Sequence, residues 1–433
     1  MSSIGHIIKS ERINQSMKQI TLAKGICSTS YLSKIENNLT VPSEEVVTFL
    51  LEKLNIEIDQ VSSEKENNVI LSIHELYKIG VLKRDKEFIR KSLQKFTNQK
   101  LFFLQLNNYY SYHIYMFRLL LILDEKEPLQ SSFHVIVKII DDINDKQKFI
   151  INLNLGLYSY LAGNYQDALR QLNMPLKLVN NGINEEWEIA DFYNVLSLTY
   201  LKCNELFNAI NYASKSLLYY KDNLLFERAI DNYIVIGIAY KKLRKYQEAE
   251  KNYNLAGKLA RDYKLINYEE VIYQNLGSLH AIQGNHENAI EFYKQSLKIK
   301  EDDFNSEGYL LTTLSIIKQY SKQSDHQQVL KWCQKGLDKI GEGKNSTKEY
   351  ISYYYHLEIY KHYHNLTDEL EMVLREAISY FEFEQDERHV QKYSIILADY
   401  LFKHHKFKAA SLYYQKANQI FFKQKFINKW EDL

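Results

Sequence analysis

Proline and glycine are scarce in this chain, 3 and 14 of 433 residues. Proline breaks a helix by removing an amide donor and glycine weakens it through backbone entropy, so little here interrupts long helical stretches. The 3 cysteines, Cys27, Cys203 and Cys333, lie far apart. Such scatter argues against a disulfide framework or a thiolate metal site and fits a reducing, cytoplasmic setting. No run of 18 apolar residues occurs, so no membrane span and no membrane partner are expected. The opening Met1-Ser2-Ser3-Ile4-Gly5-His6 has no charged segment followed by an apolar one, and no export signal is expected. G-x-G-x-x-G, P-loop and nucleophile-elbow patterns are all missing, so no enzyme, catalytic residue or cofactor is expected. His356, His362, His364, His404 and His405 read as solvated helix faces rather than a metal set.

What the sequence does have is a period. A tyrosine returns every 40 residues at Tyr160, Tyr200, Tyr240, Tyr320, Tyr360 and Tyr400, with His280 in the remaining place. Ala168, Ala209, Ala249, Ala289 and Ala409 follow at a nearly constant offset, Val329 and Glu369 being the exceptions. Two ladders in phase mean a repeated unit that buries its apolar face only by stacking on its neighbours. The unit reads as a helix pair: Ile236-Gly237-Ile238-Ala239-Tyr240, a break at Lys245-Tyr246-Gln247, then Ala249, Tyr253 and Ala256. Small side chains let two antiparallel helices approach while aromatics fill the groove beside the next pair. Leu155-Gly156 with Gly163-Asn164-Tyr165-Gln166-Asp167-Ala168, and Leu276-Gly277 with Gly284-Asn285-His286-Glu287-Asn288-Ala289, keep one order of residues. This order resembles the tetratricopeptide repeat, lengthened from its usual span of about 34 residues. The ladder tyrosines read as core packing.

Net charge is +1, but residues 1 to 40 carry five cations against two acids and residues 41 to 60 one cation against five acids. The same stretch reads as four short helices. Ile4, Ile7 and Ile8 open the first, and a second runs from about Met17 to Ala23. A third starts at Ser28 or Thr29, with Tyr31, Leu32 and Ile35 inward and Ser30, Ser33, Lys34 and Asn37 outward; a fourth starts at Pro42-Ser43-Glu44-Glu45. The expected fold class is therefore all-α, an N-terminal helix-turn-helix domain (1–60), a linker (61–68), and a tetratricopeptide-like α-solenoid of about nine helix pairs (69–433). Residues 423 to 433 read as its polar end cap.

In such a solenoid the first helix of each pair lines the concave side. Positions six before each ladder aromatic then face the groove: Asn154, Asn194, Ile234, Gln274, Leu314, Tyr354 and Ser394. A carboxamide offers donor and acceptor together, which suits an extended peptide backbone. Asn154, Asn194 and Gln274 are the leading candidates, with Tyr158 and Tyr354 beside them. Asp191 and Asp231 near the starts of these helices, and Lys202, Lys241 and Lys318 near their ends, are candidates for holding the two charged termini of a short peptide.

Ile26-Cys27-Ser28-Thr29-Ser30-Tyr31-Leu32-Ser33-Lys34-Ile35-Glu36-Asn37 followed by Pro42-Ser43 resembles the helix-turn-helix of the phage-repressor and Xre class, with a shorter turn than most members have. The resemblance implies double-stranded DNA as partner, with Ser28, Thr29, Ser30, Ser33 and Lys34 toward the bases and Gln19 and Asn37 on phosphates. Reader and array together resemble the cytoplasmic peptide-pheromone receptors of Gram-positive bacteria, the Rap, Rgg, NprR, PlcR and PrgX family. That likeness implies a homodimeric quorum-sensing transcription regulator on a palindromic operator, switched by a short linear signalling peptide. The alternative is a regulator acting by contact on a response regulator, as in the Rap branch.

Overall fold

The computed structural model describes residues 4–56, 63–97, 101–139, 143–301, 306–342, 348–363 and 368–424. Every regular element among them is a helix. None is long and apolar enough to cross a membrane. The first four helices are α1 (Ile4–Asn14), α2 (Gln19–Ala23), α3 (Thr29–Glu36) and α4 (Glu44–Lys53). Ile7, Ile8, Leu22, Leu32, Ile35, Leu50, Leu51 and Leu54 form their common core. Ser28 starts α3, its hydroxyl accepting the Tyr31 amide at 3.2 Å, and Ser43 caps α4 in the same way. Gly25 takes a φ of +83° in the turn between α2 and α3, a conformation that costs other residues more.

One ion pair fixes the tilt of α3. Arg12 grips the Glu36 carboxylate with two hydrogen bonds, Nε at 2.6 Å and Nη2 at 2.9 Å, while its Nη1 donates to the Met17 carbonyl at 2.9 Å. The Gln19 amide donates to the same carboxylate at 2.7 Å. Three helices thus meet on one acid whose side chain is 0% exposed.

The helices after the bundle run as successive pairs. They are α5 (Ser63–Lys83) and α6 (Lys86–Thr97), α7 (Leu106–Leu123) and α8 (Lys126–Ile139), α9 (Asp145–Leu161) and α10 (Tyr165–Leu178), α11 (Glu186–Lys202) and α12 (Leu206–Asp222). Next come α13 (Phe226–Lys242) and α14 (Tyr246–Asp262), α15 (Ile266–Ile282) and α16 (His286–Glu301), α17 (Ser306–Lys322) and α18 (His326–Glu342). Last are α19 (Lys348–Tyr363) and α20 (Asp368–Phe383), then α21 (Glu387–Lys403) and α22 (Phe407–Gln424). The residues at 63–68, read as linker, begin α5, and residues 57–62 lie outside the described residues. Of the expected end cap, 425–433 lie outside them too.

By packing, the chain divides into two compact units, Met1–Leu243 and Arg244–Leu433. Within the first, α7 packs on α9, α9 on α11 and α11 on α13; within the second, α15 packs on α17 and α17 on α19. Successive second helices do not approach one another as closely, so first helices form the inner layer of each unit. The alanine ladder explains the spacing inside a pair: Ala168, Ala209, Ala249 and Ala289 are 0% exposed and Val329 1%. In the last two pairs this buried place slips by one residue, to Leu370 and Ala410, leaving Glu369 exposed and Ala409 half-buried. Ladder aromatics lie flat on rings of the second helix, Tyr200 on Tyr212 at 5.6 Å and His280 on Phe292 at 5.2 Å.

Gly156 and Gly277 mark the closest approaches. A Cβ at Gly277 would sit 2.6 Å from the ring of buried Tyr293, and one at Gly156 would sit 2.6 Å from Leu172. Gly277→Ala is therefore expected to destabilise the second unit by about 1–3 kcal/mol, an overpacking cost that a urea midpoint measures. For the clamp, burial alone would push the Glu36 carboxyl up, but Arg12 and Gln19 outweigh it and hold it below the ordinary value. A depressed carboxyl contributes stability that is complete above its unfolded pKa, about 4.3, and lost as pH falls through the lower folded value. The bundle should hence lose stability in that acid window, and Glu36→Gln should remove this part of the pH dependence in near-ultraviolet melts.

Candidate functional site

The outward face of α3 is built from short polar side chains at a capped helix start. Ser28, Thr29, Ser30, Lys34 and Asn37 are exposed and Ser33 is half-buried. The Ser28 and Ser30 hydroxyls lie 3.1 Å apart. Asn37 is held at both ends, its Nδ2 donating to the Ser33 carbonyl at 2.9 Å and its Oδ1 accepting from Lys9 Nζ at 2.9 Å. Lys9 thereby joins the end of this face, a neighbour that only the packing of α1 on α3 reveals. Gln19, at the start of α2, is half-buried and turned to Glu36. Cys27 beside them is half-buried, and burial pushes its thiol pKa up, which fits packing rather than reactivity.

On the inner layer of the first unit, several expected groove residues are closed in. Asn154 and Asp191 are 0% exposed and Asn194 1%. The Asn154 Nδ2 donates to the Ile114 carbonyl of α7 at 3.1 Å, across to the neighbouring first helix. Its oxygen, and both amide atoms of Asn194, are buried without a hydrogen-bond partner. A native protein rarely leaves such groups unpaired without a reason.

Asp191 and Asp231 were expected to offer negative charge to a peptide; the structure corrects this. Arg118 Nη2 donates to Asp191 at 2.5 Å and Arg228 Nη2 at 3.2 Å. Asp231 meets Arg228 at 3.4 Å and Arg84, at the end of α5, at 3.5 Å. Three guanidiniums around two carboxylates leave this chain with an excess positive charge. Arg118 and Arg228 escaped sequence reasoning; the available signal was a lone cation inside the apolar run Tyr115-Met116-Phe117-Arg118-Leu119-Leu120-Leu121, which needs a buried partner.

The remaining candidates divide by role. Tyr158 stacks on Phe133 at 4.9 Å and belongs to the core. Lys202 is exposed, 5.8 Å above the Tyr165 ring, and Lys241 is half-buried, with burial and then Lys242 lowering its pKa. In the second unit, Gln274 accepts from the Thr312 hydroxyl at 3.0 Å and donates to Ser315 at 3.4 Å. Leu314 is 3% and Ser394 0% exposed, whereas Tyr354 is 43% exposed. Lys318 is exposed. In the first unit, Ile234 is 9% exposed.

Of the histidines read as solvated, His404 and His405 are exposed, whereas His356 and His362 are half-buried. His356 is half-buried, bonded to the Tyr393 hydroxyl, and burial, with His389 beside it, pushes its pKa down to about 3. His362 faces Glu358, four residues before it, at 3.3 Å, and His404 stacks on Tyr400 at 4.1 Å. His364 lies outside the described residues. His74, Glu185 and Glu188 bring ligand-type atoms within 4.8 Å of one another. Lys146, at 3.8 and 3.6 Å, and Lys78, at 3.9 Å, already supply these acids with countercharge.

Comparison with known proteins gives two family matches, a helix-turn-helix over residues 8–61 and a tetratricopeptide repeat over 228–302. The transcriptional activator NprA of Geobacillus stearothermophilus is 28% identical over 408 residues, covering 92% of this chain and 98% of that protein. The apo quorum sensor NprR from B. thuringiensis superposes with a TM-score of 0.68 at 18% identity, over 82% of this chain and 99% of that one. NprR in complex with its cognate peptide NprX gives 0.54 at 18% identity, over 81% and 98%. Apo RapI gives 0.64 at 16% identity, over 83% and 98%. The chain thus joins a helix-turn-helix bundle to a tetratricopeptide array, and over most of its length it is similar to the activator NprA and shares the fold of NprR and RapI.

Proposed function

We propose that this protein is a cytoplasmic, non-enzymatic transcription regulator that reads a palindromic operator as a homodimer and is switched by a short linear peptide held on the inner layer of its repeats. The observation that carries the reading is the capped start of α3, with Ser28, Thr29, Ser30 and Lys34 exposed at its tip, in one chain with a repeat array. The likeness to the activator NprA and to NprR, one structure of which holds a peptide, supports it. Short polar side chains at a helix start reach base edges, and Ser33 is proposed to join Ser28, Thr29, Ser30 and Lys34 there, while Gln19, Asn37 and the neighbouring Lys9 are proposed to meet phosphates. In the first unit Asn154 and Asn194 are proposed to hold peptide backbone, with Lys202 and Lys241 flanking; in the second unit the same role is proposed for Gln274, with Lys318 and Tyr354 flanking. A dimer presenting two α3 helices about 34–36 Å apart would match one turn of DNA. Contact with a response regulator is the alternative, and DNA-binding assays on the variants below separate the two.

The route from peptide to reader runs through the first unit. Phe102 and Leu104 pack against the bundle core, and the amides of Leu104 and Gln105 donate to Glu66 of α5 at 2.9 and 3.1 Å. Further along α5, Tyr77 lies 5.1 Å from Trp187 of α11, and just past its end Arg84 meets Asp231 of α13. A peptide that favours one setting of α11 and α13 therefore acts on α5 and, through Glu66, on the bundle. The shift equals its difference in affinity for the two settings, tenfold for each 1.4 kcal/mol or so.

Ser30→Ala or Lys34→Ala should weaken operator binding by about 1–3 kcal/mol and leave peptide affinity unchanged. Asn194→Ala should do the reverse with little loss of stability, because no hydrogen bond is broken. Anisotropy titrations with operator duplex and calorimetry with peptide read the two, and equal effects on both would end the two-site assignment. Glu66→Ala should leave each affinity in place while the peptide's effect on operator binding shrinks.

A further inference from the structure

Among the described residues, one cluster of metal-ligating type stands apart from the DNA and peptide readings: His74 on α5 with Glu185 and Glu188 at the start of α11, their ligand atoms all within 4.8 Å of one another. Each acid has one oxygen committed and one open. Trp187 Nε1 donates to Glu185 Oε2 at 2.8 Å, and the Glu185 amide donates to Glu188 Oε2 at 2.9 Å. Hydrogen bonds of this kind fix the direction of carboxylates that ligate metals. They leave Glu185 Oε1 facing His74 Nε2 at 3.5 Å.

Burial supplies an independent sign. Glu188 is 0% exposed, and its Oε1 is buried with no hydrogen-bond partner. The hydroxyl of Tyr77, on the same helix as His74, is likewise buried and unpartnered, with Glu188 the strongest charge acting on it. A buried carboxylate oxygen left unpaired is costly, and a cation bound directly to it removes that cost. The neighbouring lysines do not reach it. Lys146 stands 3.8 Å from Glu185 and 3.6 Å from Glu188, and Lys78 stands 3.9 Å from Glu185, all beyond hydrogen-bond length. They balance charge and leave lone pairs free. Burial lowers the His74 pKa, so its ring is neutral at neutral pH and offers a lone pair too.

The spacing suits a small ion. Tetrahedral zinc with nitrogen and oxygen ligands has bonds of about 2.0–2.2 Å, which sets neighbouring ligand atoms about 3.3–3.6 Å apart. His74 Nε2 and Glu185 Oε1, at 3.5 Å, already span one such edge. One imidazole with two carboxylates suits a first-row ion better than magnesium or calcium, which take oxygen ligands.

We propose that His74, Glu185 and Glu188 form a binding site for a divalent first-row transition metal such as zinc, clipping the middle of α5 to the first turn of α11. The ion takes over the countercharge role of Lys146, which is 35% exposed and has solvent to move into. The site stands whether or not a peptide binds the repeats.

The test titrates the untagged full chain, stripped with a chelator, with zinc chloride by calorimetry, and counts bound metal after dialysis. One zinc per chain and a raised melting temperature are expected, and magnesium chloride at the same concentration should give neither. His74→Gln and Glu188→Gln should each weaken zinc binding at least about ten-fold; glutamine at 188 can still cap the helix start. Lys146→Met should tighten zinc binding, a gain that a merely structural role for the cluster would not produce. Melting temperatures of the metal-free variants check that each is folded. Zinc held equally by both ligand variants belongs elsewhere on the chain and overturns the site, as do an absence of zinc binding and an equal response to magnesium. Should a ligand variant fail to fold, a zinc affinity unmoved by Lys146→Met overturns it as well.

Discussion

A pair of helices this short cannot cover its own apolar face, and everything else in the molecule follows from where the uncovered faces go. Each pair closes on a side chain no larger than alanine or valine through most of the array, Ala168, Ala209, Ala249, Ala289 and Val329, so the two backbones come close and ladder aromatics such as Tyr200 and His280 lie on rings of the second helix of their own pair. Gly156 and Gly277 carry the same constraint to its limit, where even one added carbon meets a buried side chain. Because contact is with neighbours only, the array grows without a single central core, and the first helices pack one on the next, from α7 to α13 in the first unit and from α15 to α19 in the second.

That inner layer is where the fold sets aside stability. Burying Asp191 between Arg118 and Arg228 exchanges hydration for Coulomb attraction, and such pairs often do no better than apolar packing would. Leaving both amide atoms of Asn194 without partners is worse than neutral, since a buried donor or acceptor that makes no hydrogen bond costs about 1–3 kcal/mol. Departures of this kind concentrate where a protein must meet something else.

Helix α5 links these features to the reading bundle. Its first turns hold the Leu104–Gln105 backbone through Glu66, its middle packs on Trp187, and its end ties Asp231. A helix transmits displacement along its length because its own hydrogen bonds keep it stiff, so a change at α11 or α13 has a mechanical path to α3. The Arg12–Glu36 clamp keeps α3 rigid within the bundle, and the reading face then moves as one piece.

Local pattern carried much of this. The 40-residue period, the small residues within it and the capped start at Ser28 are properties of neighbours in sequence, so the helix-turn-helix, the repeats and the exposed tip of α3 could be read directly from the chain. The six-before rule puts Asn154 and Asn194 on first helices, yet phase alone says nothing of how near the next first helix comes, and both are buried. Partners across helices were invisible for the same reason. Asp191 reads as a free acid until Arg118, on α7, and Arg228, on α13, arrive beside it, and Glu36 reads as a surface charge until Arg12 closes on it. Composition and spacing determine which faces a helix owns. Which charges are neutralised, as at Asp191 and Glu36, was decided only when helices remote in sequence were packed together, because Coulomb and hydrogen-bond energies depend on distances in space.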